Sequence, residues 1–149
     1  MMDSLRPGGF LLSQVHHLSG RTFARLLKNH GLDELNPAQG RILFVLWQND
    51  NIAISELARR TSLGKSTLTA MLDRLEGDGY VTRVPSPTDR RTVLIRRTLK
   101  DEGFRQAFLA VSAEMTELWY AGMSEDDRDR FEATLRRILA NLSDQGDAE

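Results

Sequence analysis

The chain has 149 residues, the length of one compact domain or two small ones. Apolar residues make up 40 % and charged residues 28 %, enough to bury a core, and a formal net charge of −1 argues against a globally basic coat. There is no cysteine, which excludes disulfides, thiolate metal sites and cysteine nucleophiles.

The pattern is mostly helical. Apolar residues at 11, 12, 15, 18, 23, 26 and 27 recur at helical spacing over Phe10 to His30, and Gly31 suits the C-terminal cap. Gly20 inside this helix marks either a close contact or nothing. Asn36-Pro37-Ala38-Gln39 combines a capping asparagine, a first-turn proline and a glutamine that can bond back to the cap. The apolar run Ile42 to Trp47 follows, and Asn49-Asp50-Asn51 ends that helix. Residues 55–61 and 65–78 predict two short helices, separated only by Ser62-Leu63-Gly64, a helix-turn-helix connection. Gly79 caps, Tyr80 to Val84 and Thr92 to Thr98 predict strands, and Pro85 to Arg91 is too long for a tight hairpin turn. A helix over 101–121 carries Phe104, Phe108, Val111, Met115, Leu118 and Trp119 on one face. Ser124 caps a last helix whose acids Glu125, Asp126 and Asp127 suit the positive end of its dipole. Phe131, Leu135, Ile138, Leu139 and Leu142 repeat along it, and a frayed tail is expected from Ser143.

The six-residue run Ile42 to Trp47 is the longest apolar stretch, whereas a membrane span needs about 20. Phe10-Leu11-Leu12 after Arg6 is too short for a signal-peptide core. A soluble, cytoplasmic protein with no membrane partner is expected.

Near-neutrality hides an asymmetry. Residues 54–100 contain ten bases and five acids, a net of +5, which leaves −6 for the rest of a chain of net −1. A basic segment on an acidic frame is the footprint of one polyanion-binding face, although charge runs are also ordinary solvated surface. The order helix, short turn, helix, strand, basic loop, strand is a winged helix-turn-helix. Its second helix can enter a major groove and its loop a neighbouring one. In the helix over 65–78, Leu68, Met71, Leu72 and Leu75 fall on one side. Ser66, Thr69, Ala70 and Asp73 lie opposite, flanked by Thr67 and Arg74, and Lys65 sits in the first turn. Short hydroxyls and bases there suit base-edge and phosphate contacts. In the loop, Arg90 and Arg91 suit a narrow minor groove, and Asp89 can hold the Arg91 guanidinium by a bidentate pair. The expected DNA-binding residues are Lys65, Ser66, Thr67, Thr69, Arg74, Asp89, Arg90 and Arg91.

Glu56-Leu57-Ala58, Ser66-Thr67-Leu68-Thr69, Leu72-Asp73-Arg74-Leu75-Glu76, Gly79-Tyr80-Val81 and Asp89-Arg90-Arg91, in this order and spacing, resemble the MarR family of bacterial transcription regulators. The resemblance runs from about residue 10 to 142. It implies a mainly α chain with a small β-hairpin wing, forming a homodimer. The DNA-binding lobe would span 36–98, a helical dimerisation region 8–32 and 100–142, and a ligand pocket would lie between them. Arg91 matches the wing arginine of the family and Asp89 its partner, while Ser66, Thr67 and Thr69 match the groove-facing helix. Ala53 and Gly64 stand where capping side chains are usual, and Ala70 replaces a frequent arginine. The lack of cysteine rules out the thiol-based peroxide-sensing branch.

His16 and His17 are adjacent on a helix and point about 100° apart, so they do not chelate one ion, and no metal, cofactor or catalytic site is expected. His16, His17, Arg21, Arg41 and Trp47 are candidates for the ligand site; Trp47, Trp119 and Tyr120 could line a pocket, but at helical spacing such side chains are more often plain core. The reading is a sequence-specific DNA-binding regulator, a repressor released by a small aromatic or amphipathic effector at a pseudo-palindromic operator. A winged-helix protein-docking module and a non-specific DNA binder are the alternatives.

Overall fold

The computed structural model of the chain describes residues 5–146. Its elements are α1 (Gly8–Asn29), α2 (Pro37–Gln48), β1 (Ile52–Ala53), α3 (Ile54–Thr61), α4 (Lys65–Gly77), β2 (Val81–Pro85), β3 (Val93–Arg97), α5 (Glu102–Tyr120) and α6 (Glu125–Gly146). The described residues up to Ser112 form one compact unit and those from Ala113 a second, so α5 begins in the first and ends in the second. The architecture is mainly helical with one small antiparallel sheet, as the sequence predicts.

The helix boundaries follow from local chemistry. Gly31, with φ of 73°, lets the chain leave α1 while the Leu32 N–H returns to the Leu27 carbonyl at 2.8 Å. At α2 both halves of the capping box form: Asn36 Oδ1 accepts the Gln39 N–H at 2.8 Å, and Gln39 Oε1 accepts the Asn36 N–H at 3.0 Å. Neither Ala53 nor Gly64 supplies a side-chain cap to α3 or α4. The turn between α3 and α4 passes through Ser62 in the left-handed region, φ 55°. The buried Thr61 hydroxyl donates to the Leu57 carbonyl at 2.7 Å within α3 and accepts the Leu63 N–H of that turn at 3.4 Å.

Sequence patterning missed β1. Two residues cannot show an alternation, and the strand exists because Ile52 and Ala53 pair with Ile95 and Leu94 of β3. The sheet order is β1-β3-β2, with Val81 opposite Arg97 and Pro85 opposite Val93. The sheet and α2–α4 enclose Leu43, Leu46, Leu57, Leu68, Leu72, Leu75 and Ile95, all buried. Met71 is only half-buried, and its thioether accepts the Asn36 side-chain amide.

Phe108 of α5 is the largest fully buried side chain of the first unit. It packs edge-on against Phe23 of α1 at 5.7 Å and Trp47 of α2 at 4.9 Å between ring centroids. Gly40 makes this possible, because a Cβ there would lie 2.6 Å from the Phe108 ring. Gly20, the glycine that drew notice in the sequence, faces open space instead.

In the second unit, Trp119 and Tyr120 pack against Phe131 of α6, with centroids at 5.9 and 6.2 Å. The Tyr120 hydroxyl donates to Glu132 at 2.8 Å, and Ser124 caps α6 by accepting the Asp127 N–H at 3.1 Å. The helix does not fray at Ser143 but continues to Gly146, sustained by its own backbone bonds after the apolar pattern ends; residues 147–149 of the expected tail lie outside the described residues. Large apolar side chains remain exposed in each unit: Phe10, Leu11 and Leu18 on α1, and Leu118, Leu139 and Leu142 on α5 and α6. Among the described residues no helix is long and apolar enough to cross a membrane.

Candidate nucleic-acid interface

The face of α4 divides as its periodicity requires. Leu68, Leu72 and Leu75 are buried, which turns Lys65, Ser66, Thr67, Thr69 and Arg74 to solvent. The Thr69 hydroxyl donates back to the Lys65 carbonyl at 2.9 Å, leaving its oxygen free to accept, whereas Ser66 and Thr67 have no side-chain partner among the described residues. Lys65 opens α4 beside the positive end of the helix dipole, which disfavours a cation there by about 0.3–1 kcal/mol. An anion bound at that end would reverse the penalty.

The wing loop, residues 86–92, is closed by the Ser86 N–H to the Thr92 carbonyl at 3.0 Å. Here one expectation is corrected. Asp89 does not hold the Arg91 guanidinium: its Oδ1 accepts the Arg91 backbone N–H at 3.0 Å and its Oδ2 the Thr92 hydroxyl at 3.1 Å. A short side chain bonds its own backbone two residues on more readily than it reaches a long neighbour. Asp89 therefore shapes the loop, and the guanidinium of Arg91 is left extended into solvent with that of Arg90.

The net charge of +5 is also divided in a way sequence counting does not show. Arg59 and Arg60 both bond Glu56. Arg83 reaches from β2 to Asp73 and Glu76 of α4, at 2.8 Å each. Arg97 is engaged by Asp101 and Glu102, Arg96 by the Asn51 side chain, and Lys100 by the Asp78 carbonyl. Lys65, Arg74, Arg90 and Arg91 remain, with no side-chain partner among the described residues. Glu56, Asp73 and Glu76 thus occupy three of the bases, Asp101, Glu102, Asn51 and the Asp78 carbonyl occupy three more, and those on α4 and the wing tip are left. Reading the sequence had missed Arg83 as a brace between wing and α4; the signal was Asp73 and Glu76, an i, i+3 acid pair followed by a base on the next strand.

Glu56 shows the strength of such local pairing. Hydrogen bonds from Arg59 and then Arg60 hold its carboxyl down to about 2, against an ordinary 4.5. A lowered folded-state value means the pairing favours the fold above about pH 4.5 and ceases to do so as the pH falls to about 2. An NMR titration should place the Glu56 midpoint near 2, and Glu56→Gln should remove that acid-side dependence. A midpoint at the ordinary value would mean the two arginines do not hold the carboxylate in solution.

The five candidate ligand residues are dispersed in role. His16, His17 and Arg21 are exposed on α1. Arg41 donates to the Thr61 carbonyl at 3.2 Å, and the Trp47 indole N–H donates to Asp101 at 2.5 Å. No hydrogen bond or ion pair joins any two of the five among the described residues.

The MarR family pattern matches residues 35–93, from the α2 cap through the wing. The organic hydroperoxide resistance transcriptional regulator of Bacillus subtilis is 32 % identical, over 74 % of this chain and 76 % of its own length. The chain belongs to the MarR family. It is a helix-turn-helix transcription regulator. The regulator TtmR of Methylorubrum extorquens is 31 % identical over 93 % of this chain, which spans 65 % of TtmR. The crystal structure of an Escherichia coli MarR mutant complexed with operator DNA superposes with a TM-score of 0.76 at 28 % identity, covering 89 % of this chain and 94 % of that one. The 149 residues of this MarR chain hold no cysteine, so thiol chemistry is not open to it.

Proposed function

We propose that this MarR chain is a cytoplasmic repressor that binds a pseudo-palindromic operator as a homodimer, α4 in the major groove and Arg91 in the minor groove. The observation that carries the reading is which bases of residues 54–100 have no side-chain partner among the described residues: Lys65, Arg74, Arg90 and Arg91 lie on α4 and the wing tip, while the other bases of the segment are engaged. The MarR structure with operator DNA supports the same partner. Dimerisation is supported by the exposed leucines and phenylalanine of α1, α5 and α6, because obligate interfaces cover about 2,000–5,000 Å² of largely apolar surface. The helical region over 8–32 and 100–142 is the proposed dimerisation surface, and 36–98 the DNA-binding lobe.

A small aromatic or amphipathic effector is part of the proposal, with His16, His17, Arg21 and Arg41 as polar anchors and Trp47 as apolar wall. Such a ligand shifts operator affinity only by its differential affinity for two states, typically 5- to 150-fold, and operator must weaken ligand binding by the same factor.

Footprinting tests the reading. Protection should fall on two half-sites about 10 base pairs apart, centre to centre, with affinity falling steeply as salt rises. Light scattering should return twice the 16.9 kDa chain mass. Protection of a single asymmetric half-site contradicts the dimeric reading, and equal competition by random DNA contradicts sequence specificity.

A further inference from the structure

We propose that Asp101 is a positioning residue for operator recognition: its buried carboxylate locks the first turn of α5 to α2 and to the wing sheet, and thereby sets the separation of the two recognition helices. The inference rests on the homodimeric, two-half-site reading above. Asp101 is 0 % exposed. Its Oδ2 accepts the Trp47 indole N–H from α2 at 2.5 Å and Arg97 Nε from β3 at 3.0 Å, and its Oδ1 accepts Arg97 Nη2 at 2.9 Å. Its carbonyl receives the Phe104 and Arg105 N–H groups that start α5. One residue therefore joins three elements at the point where the wing sheet passes into α5, ahead of the Phe108 contact with α1 and α2.

The flanking residues fasten the same joint to the turn that follows α4. The Thr98 hydroxyl donates to the Gly79 carbonyl, and Lys100 Nζ to the Asp78 carbonyl, both at 2.5 Å. Between them Leu99 stands at φ 71°, a left-handed conformation that leucine adopts only where its surroundings over-determine it. A joint built to swing would carry glycine at that position. A buried ion pair adds little stability over an apolar contact of the same shape, so its better-attested use is to select one arrangement.

Rigidity matters here because of leverage. From Glu102 to Tyr120 α5 is one uninterrupted helix of 19 residues. At 1.5 Å rise per residue, a tilt of about 10° at its first turn displaces its far end by roughly 5 Å. Base pairs are stacked about 3.4 Å apart, so such a tilt moves a second lobe by more than one step of the operator.

The test uses full-length protein and two probes: a duplex that wild type selects from a random-sequence pool, and the same duplex with one half-site scrambled. Wild type should prefer the intact duplex by at least about 100-fold. Asp101→Asn, which keeps the side chain's shape, should lose about ten-fold or more of its affinity for the intact duplex and less than two-fold for the scrambled one. It should also tolerate one base pair inserted between the half-sites better than wild type does. Equal losses on both probes, or unchanged spacing tolerance, would overturn the proposal. If Asp101→Asn folds poorly, Asp101→Asn with Arg97→Gln removes the stranded cation, and the same outcomes decide. A wild type that gains nothing from the second half-site would sink the dimeric reading itself, and the positioning role with it.

Discussion

Replacing Phe108 with alanine should cost about 3–5 kcal/mol of folding stability, the range for truncating a large buried aromatic. The side chain is 2 % exposed and holds α5 against α1 and α2 through Phe23 and Trp47. Collapse into the space is resisted because Gly40 has no side chain to fill it. For a chain of this length that loss lowers Tm by roughly 6–20 °C. Gly40→Ala attacks the same contact from the other side: its new Cβ meets the Phe108 ring at 2.6 and 2.8 Å, and overpacking of this kind costs about 1–3 kcal/mol. Urea melts of the two variants check both. Should Phe108→Ala melt within about 1 kcal/mol of wild type, the aromatic contact does not carry the lobe.

Arg91→Ala should cost roughly 1–3 kcal/mol of operator affinity with the fold intact. Among the described residues the guanidinium has no partner, so its removal breaks no contact described within the fold and the loss reports DNA contact. Asp89→Ala acts differently. It removes the acceptor for the Arg91 backbone N–H and the Thr92 hydroxyl, so it loosens the loop and should weaken binding less than Arg91→Ala. Titration of a labelled operator gives both constants. Wild-type affinity in Arg91→Ala would exclude the wing tip as a reader and turn attention to Arg90.

Elements with strong periodic or capping signals were legible in the sequence. The Asn36–Gln39 capping box, the α3–α4 turn and the buried stripe of α4 are each encoded within a few consecutive residues, and each is found. Contacts between residues far apart in the chain were not. The β1–β3 pairing, the approach of Gly40 to Phe108 and the bonds of Trp47 to Asp101 join residues separated by more than forty positions, and no local pattern announces them. The candidate site divides the same way. Composition located the basic segment, but only the arrangement of Glu56, Asp73, Glu76 and Asp101 shows which bases are occupied. Asp89 was misassigned because sequence shows that an acid and an arginine are neighbours, not that the backbone lies nearer than the guanidinium.

The four cations of α4 and the wing tip also bear on how the protein finds its target. A chain of net charge −1 is not drawn to polyanions from afar, since at physiological salt charges are screened beyond about 8 Å. Attraction starts only when α4 and the wing tip already face the duplex, so productive encounters are sorted from unproductive ones before any base is touched. Ionic strength should then act chiefly on the association rate, with the lifetime of the bound complex set by the close contacts. Near-neutrality of the whole makes orientation, rather than proximity to any polyanion, the condition for capture.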